Sequence, residues 1–550
     1  VIMSSLVLFF ILPILSLLNI VKAEELILEG VRGDPENWIV YENQTYDHVQ
    51  FKNCRYIILR NCTIYNTQQT YDFAGIDIYS SSRIIVDNCE VNGNGYTCQC
   101  ISIIGGQYIT IKNCKIHNCN DDGIQVNGSG VHIRILGNEI YHLLGCGTDG
   151  GCSPCNNGHS DGIELINTTY ADVIGNLVYD VLSTSAFIFM GDNNQDAIIA
   201  NNLFYTPACG LTAYLVENIT NVYLYNNVIW GLESGRYGGL AIGNNINNLH
   251  MYNNIILSIN YDHLGATYNP AEHHGDYNAF GKLLASQGWP QNTHDIIAPD
   301  PGFKGIPPLG QTPKYGTVTS ADFELKATSP CIDAGTSNFP YPGPITDYYK
   351  NKRDENFDIG PIEYNGTPAG PPQLSFTAEP LSGDPGTKVY FTNTSSWYFD
   401  FWFWDYGDGS RRSEKKNPYH TYNEAGTYTV TLYGLSSDGN DTLVKDNYIV
   451  IGSQGIEDPE EIFRSPLTIE QITNPLNQKG LLSYFLRKKS LLKIELYNTQ
   501  GELITTINPG EQLPGPHTLL IDGTYLAAGM YFYSLYLNKT KYLTGTLVKL

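Results

Sequence analysis

Two short phrases hold the residues best suited to chemistry. One is Asn120-Asp121-Asp122-Gly123-Ile124-Gln125-Val126; the other is His159-Ser160-Asp161-Gly162-Ile163-Glu164-Leu165. Aligned on Gly-Ile, they set Asp122 beside Asp161 and Gln125 beside Glu164. Two carboxylates that close cannot both ionise cheaply: one pKa rises, leaving an acid and a base, or a cation such as Ca²⁺ sits between Asp122 and Asp161. Hydrolysis of a sugar chain needs an acid and a carboxylate. Elimination needs a base at a sugar C–H and a cation beside the uronate. In either scheme Asp122 and Asp161 serve as acid/base carboxylates or cation ligands, and His159 carries the proton. Asp121, Asp149, Glu164 and Arg236 are candidates to hold substrate. Asp before Gly is also ordinary turn chemistry, so capping of bends is the competing role for both aspartates.

The elements that position these residues follow from a recurring phrase: Asn or Gly, then Cys or Asn, a spacer, and an apolar residue. Its second position falls at Cys62, Cys89, Cys114, Asn138, Asn176, Asn202, Asn227 and Asn254. All steps but one are close to 25 residues, a period that signals a solenoid. Each period holds two further alternating segments, for example Ile101-Ser102-Ile103 and Ile109-Thr110-Ile111. Three short strands per turn is the pattern of a right-handed parallel β-helix, from about Glu25 to Asn260 and irregular beyond. The exception is the step from Asn138 to Asn176. It contains an insertion with Cys146, Cys152 and Cys155, a set suited to a local disulfide or, with an incomplete ligand set, zinc. A long loop feeding straight into His159 and Asp161 is a natural place for function.

The chain has 12 Cys in 550 residues. Cys62, Cys89 and Cys114 share a column with five asparagines, which predicts a stacked inward ladder rather than bridges. The net charge of −23 argues against nucleic acid and anionic membrane as partners. Residues 1–23 read as a secretory signal, and no later segment is apolar enough to span a bilayer. His273-His274 with Asp276 is a weak metal candidate. Tyr79, Tyr214, Tyr223 and Trp230 are expected to face outward, where they could stack on sugar rings.

Three resemblances extend this reading. The Asp-Asp-Gly-Ile and His-Ser-Asp-Gly-Ile pair resembles β-helix enzymes acting on polysaccharides. Neither Gly-His-Gly nor Arg-Ile-Lys is present, so pectin hydrolysis in particular is not implied. Trp404-Asp405-Tyr406-Gly407-Asp408-Gly409, followed by Pro418 to Tyr422 and Ala425 to Leu432, resembles a PKD domain, a small β-sandwich. Ile494 to Ile504, Tyr525 to Leu535 and Gly545 to Leu550 resemble the C-terminal sorting domain of the bacterial type IX secretion system, which implies an outer-membrane secretion partner.

The expected architecture is all-β: a signal (1–23), a β-helix with an irregular closing segment (24–365), a linker (366–373), a PKD-like sandwich (374–452), a second linker (453–466) and a sorting-type sandwich (467–550). The expected function is a secreted or surface protein that binds and cleaves an extracellular polysaccharide. The rival is a non-catalytic adhesin or filament component, which needs no active site.

Overall fold

The computed structural model describes residues 24–549, leaving out chiefly 66–73, 145–159, 208–211, 232–238, 261–266, 283–288, 339–345, 436–440 and 453–466, and shorter stretches elsewhere. The signal, Asp149, His159, Arg236 and the cysteine insertion therefore lie outside the described residues.

The recurring phrase has a backbone cause. Its first residue sits in the left-handed region at Asn61, Asn88, Asn113, Gly137, Gly175, Asn201, Asn226 and Asn253, with φ between 51° and 69°. Only Gly, and Asn among side-chain-bearing residues, visits that region at low cost, which is why those two types alternate there. The turn aims the next residue inward, and the apolar fourth residue (Ile64, Val91, Ile116, Ile140) then enters the core.

Each strand pairs in parallel with its counterparts one coil before and after. Ile109–Ile111 lies against Ile84–Val86 on one side and Ile133–Ile135 on the other. Ile116 lies between Val91 and Ile140, and Ile124 between Ile101 and Ile163. The inward residues form one continuous core from Val49 to Trp289.

The inward column is a ladder as expected. Asn176 accepts from both the backbone N–H and Nδ2 of Asn138 at 3.0 Å; Asn202 does the same for Asn176. Cys62, Cys89 and Cys114 are buried free thiols. The ladder outruns its sequence phrase, continuing through Asn278 to Asp295, which accepts the Asn278 N–H at 2.8 Å. Coils accordingly continue past Asn260, with strands at His273–Asp276, Ala279–Phe280 and Ile296–Ile297. A disulfide that the column reading did not supply joins Cys100 to Cys119.

The closing segment packs along the outside of the third sheet. Phe303, Ile306, Val318, Phe323 and Leu325 cover Leu203, Tyr205, Val228 and Trp230. It is tied down by the buried Arg353–Glu363 ion pair at 2.9 Å and by Arg353 reaching Asn201 Oδ1.

The sequence after the linker forms small sheets. Phe376–Glu379, Thr387–Asn393 and Tyr419–Tyr422 make one; Ser382–Gly383, Asp441–Ile451, Gly426–Leu435 and Phe401–Asp405 make another. Trp404 is fully buried. Beyond residue 466, three- and four-stranded antiparallel sheets enclose Leu482, Tyr484, Leu492, Leu496 and Leu535. Among the described residues no helix is long and apolar enough to cross a membrane.

Candidate functional site

The first strand of each coil carries the candidate residues. Parallel pairing puts Gln125 level with Glu164, as the alignment predicts, and Asp161 level with Ser185 one coil further. Asp122 precedes its strand by one turn, and its Oδ1 accepts the backbone N–H of Asp161 at 2.9 Å.

Asp122 and Glu164 are bridged by one amide. Gln125 Nε2 donates to Asp122 Oδ2 at 3.0 Å and to Glu164 Oε2 at 2.7 Å. The two carboxyl oxygens are thus no farther apart than the sum of those distances. Asp122 is 2 % exposed and Glu164 6 %. Burial pushes the Asp122 carboxyl well above its ordinary range, and the neighbouring charges of Glu164, Asp121 and Asp161 push the same way; the Asp161 N–H opposes them.

Asp161 is fully buried and accepts from Ser185 Oγ at 2.5 Å. Its N–H is bound by the Asp122 side chain in the same way as each ladder rung binds the N–H of its neighbour, so Asp122 does turn chemistry in a second stack. Asp121 accepts from Gln99 Nε2 at 3.0 Å.

The same outward column runs on through Ser102 to Asp77. Asp77, 2 % exposed, accepts from the Tyr79 hydroxyl at 2.9 Å and pairs with His48 Nε2 at 3.0 Å. Sequence alternation placed Asp77 outward but gave no signal for His48, whose partner lies in the next coil. Past Glu164 the column turns apolar: Ile188, Tyr214 and Ala241 are all buried.

Two of the expected stacking aromatics are buried. Tyr214 packs with Ile188, and Trp230 lies under the closing segment, so neither offers a ring face on an open surface. Tyr79 and Tyr223 remain half-buried. Among the described residues no three His, Cys, Asp or Glu side chains converge as a metal shell. His273 Nε2 donates to the Ile246 carbonyl, and Asp276 pairs with His294. The Gln125 amide lies between Asp122 and Glu164.

Residues 36–160 match the family described as right handed beta helix region, and residues 371–451 match the PKD domain family. The fold is thus that of a right-handed parallel β-helix, followed by a segment similar to the PKD domain. No curated protein matches it at a significant level. Among solved structures, pectate lyase Pel9A aligns at 16% identity over 62% of this chain and 87% of its own, with a TM-score of 0.35. PfbA, a surface adhesin of Streptococcus pneumoniae, aligns at 13% over 45% and 70%, with a TM-score of 0.30. The periplasmic alginate epimerase AlgG aligns at 12% over 48% and 62%, with a TM-score of 0.28. Likeness at that level carries no argument about activity.

Proposed function

We propose that the protein is exported and cleaves an extracellular polysaccharide on the first sheet of its β-helix, with Asp122 as the acid and Glu164 as its partner carboxylate. One observation carries this reading: the buried Asp122 carboxyl, which burial pushes towards its acid form, shares a single amide with the Glu164 carboxylate. The bridge keeps one oxygen of each carboxyl within the sum of its two hydrogen bonds, a closeness that suits a nucleophile–acid pair (~5–5.5 Å).

The reaction that follows is hydrolysis with retention. Asp122 gives its proton to the glycosidic oxygen while Glu164 attacks the anomeric carbon and forms a glycosyl ester. Water then opens the ester, with Asp122, now ionised, taking its proton. Gln125 donates to both groups, so an incoming glycosidic oxygen takes the place of its amide. Asp161 fixes the acid through its backbone N–H. The roles assigned to His159, Asp149 and Arg236 rest on sequence alone.

The test is a screen of the purified chain against a panel of polysaccharides, with and without Ca²⁺. Reducing ends should appear, the first-formed anomer should match the substrate by NMR, and Glu164→Gln should abolish both. Unsaturated product absorbing in the ultraviolet would replace hydrolysis by elimination. Binding without cleavage across the panel would favour the adhesin reading, which the modular build of solenoid, PKD domain and terminal sandwich also suits.

The C-terminal sandwich is proposed as a type IX sorting domain. Deleting residues 467–550 should then retain the chain inside the outer membrane in a host with that machinery; unchanged export would remove the assignment.

A further inference from the structure

The third strand of successive coils carries an outward aromatic column: His117, Tyr141, Tyr179, Tyr205 and Trp230 are level with one another. Its early members stack face to face, His117 on Tyr141 at 4.8 Å and Tyr141 on Tyr179 at 5.2 Å. Its last two do not. Tyr205 and Trp230 are set edge-on by Phe323 and Phe303 instead. Beside them the closing segment leaves a pocket of about 210 Å³, lined by Tyr205, Trp230, Gly231, Leu309, Gln311 and three prolines, Pro307, Pro308 and Pro313.

The pocket is preformed. Tyr205 Oη accepts the Lys314 N–H at 2.9 Å and donates to the Lys314 carbonyl at 3.1 Å. The Leu309 N–H reaches the Pro299 carbonyl at 2.8 Å, and the Gln311 N–H reaches the Pro308 carbonyl at 3.2 Å. Gly281 lies so close to the Trp230 ring that a Cβ there would sit 2.8 Å from it, which confines the indole. Proline walls have little conformational freedom left to lose when a ligand enters.

The contents of the wall define the ligand. Pro307, Pro308, Pro313 and Leu309, all half-buried, present apolar surface over the buried rings of Tyr205 and Trp230, and the exposed Gln311 amide presents a donor and an acceptor. The volume lies below the ~300 Å³ at which drug-sized ligands begin. A ring with one apolar face and a hydroxylated edge, of monosaccharide size, meets all three conditions.

We propose that this pocket binds a single sugar unit, such as a chain end, separately from the Asp122–Glu164 site and on a different sheet. It would hold a glycan whether or not the chain cleaves it.

The test titrates the full chain with free hexoses, hexuronic acids and short oligosaccharides, following tryptophan emission and calorimetric heat. At least one should bind saturably. Gln311→Ala, at an exposed position, should weaken that binding at least fivefold, and Trp230→Phe should remove the emission change. Glu164→Gln should leave both readouts intact, so failure of this pocket and failure of the cleavage site are told apart. Saccharide binding unaltered in Gln311→Ala and Trp230→Phe would overturn the proposal. So would no saturable binding by any saccharide, or uptake of alkyl ligands alone.

Discussion

Asp122→Asn is expected to lower depolymerisation by about 10²–10⁴-fold, the range for loss of a positioned general acid, and to flatten the dependence of thermal stability on pH. The second effect follows from linkage. A carboxyl whose pKa is raised by folding favours the folded state below its unfolded pKa, and that contribution is lost as pH climbs from the ordinary carboxylate range through the raised value. Burial and the charges of Glu164, Asp121 and Asp161 raise Asp122 in this way. Asparagine has no proton to lose. It keeps an acceptor for the Asp161 N–H and forfeits the one that faces Gln125 Nε2. That forfeited bond is a constant offset of about 1 kcal/mol. The divergence of the two curves, not the offset, therefore reads the carboxyl. Melting midpoints of both proteins from pH 4 to 9 should draw apart in favour of the variant as pH rises. Parallel curves would mean that Asp122 is ionised in the folded protein, and the acid would have to be sought elsewhere.

That pair was half visible in the sequence. Coil-to-coil register is rigid, so aligning Gly123-Ile124 with Gly162-Ile163 was enough to place Gln125 against Glu164. Alternation also gave the outward direction. It did not give burial: outward on a solenoid is usually wet, yet Asp77, Glu164 and Tyr214 are nearly covered. Nor could it give the Gln125 bridge, which depends on a side-chain torsion, or Ser185, which lies a full coil past Asp161. Trp230 was misplaced for a different reason. The residues that cover it, Phe303 among them, arrive from a segment with no period. The ladder was followed to Asn254 and then lost because its next rung reads Tyr277-Asn278-Ala279-Phe280. Tyr277 holds the left-handed turn there, with φ 59°, in place of the usual Asn or Gly. The fold tolerates that substitution, but the written phrase does not reveal it.

The interchange of Cys and Asn along the ladder should prove directional. Asn202→Cys is expected to destabilise the helix by about 2–6 kcal/mol, because it strands two buried donors at about 1–3 kcal/mol each. Asn202 Oδ1 now accepts the Asn176 N–H and Asn176 Nδ2, both at 3.0 Å, and a thiol is a poor acceptor for either. Its own Nδ2 also serves the Val173 carbonyl at 2.8 Å and Asn227 Oδ1 at 3.0 Å. The reverse change, Cys114→Asn, meets a different neighbourhood. The Cys89 N–H above it rests on sulfur at 3.5 Å, and the thiol lies 3.7 Å from the Val86 carbonyl. An amide there would offer both groups a stronger partner and could donate to Asn138 Oδ1, as every later rung does to its successor. Cys114→Asn should be neutral or stabilising by about 1 kcal/mol. Urea melts of the two variants and the parent decide the matter. Equal losses in both would mean that the column is filled for volume alone. A loss confined to Asn202→Cys would mean that the thiol rungs end a hydrogen-bonded chain that runs from Asn138 towards the closing segment.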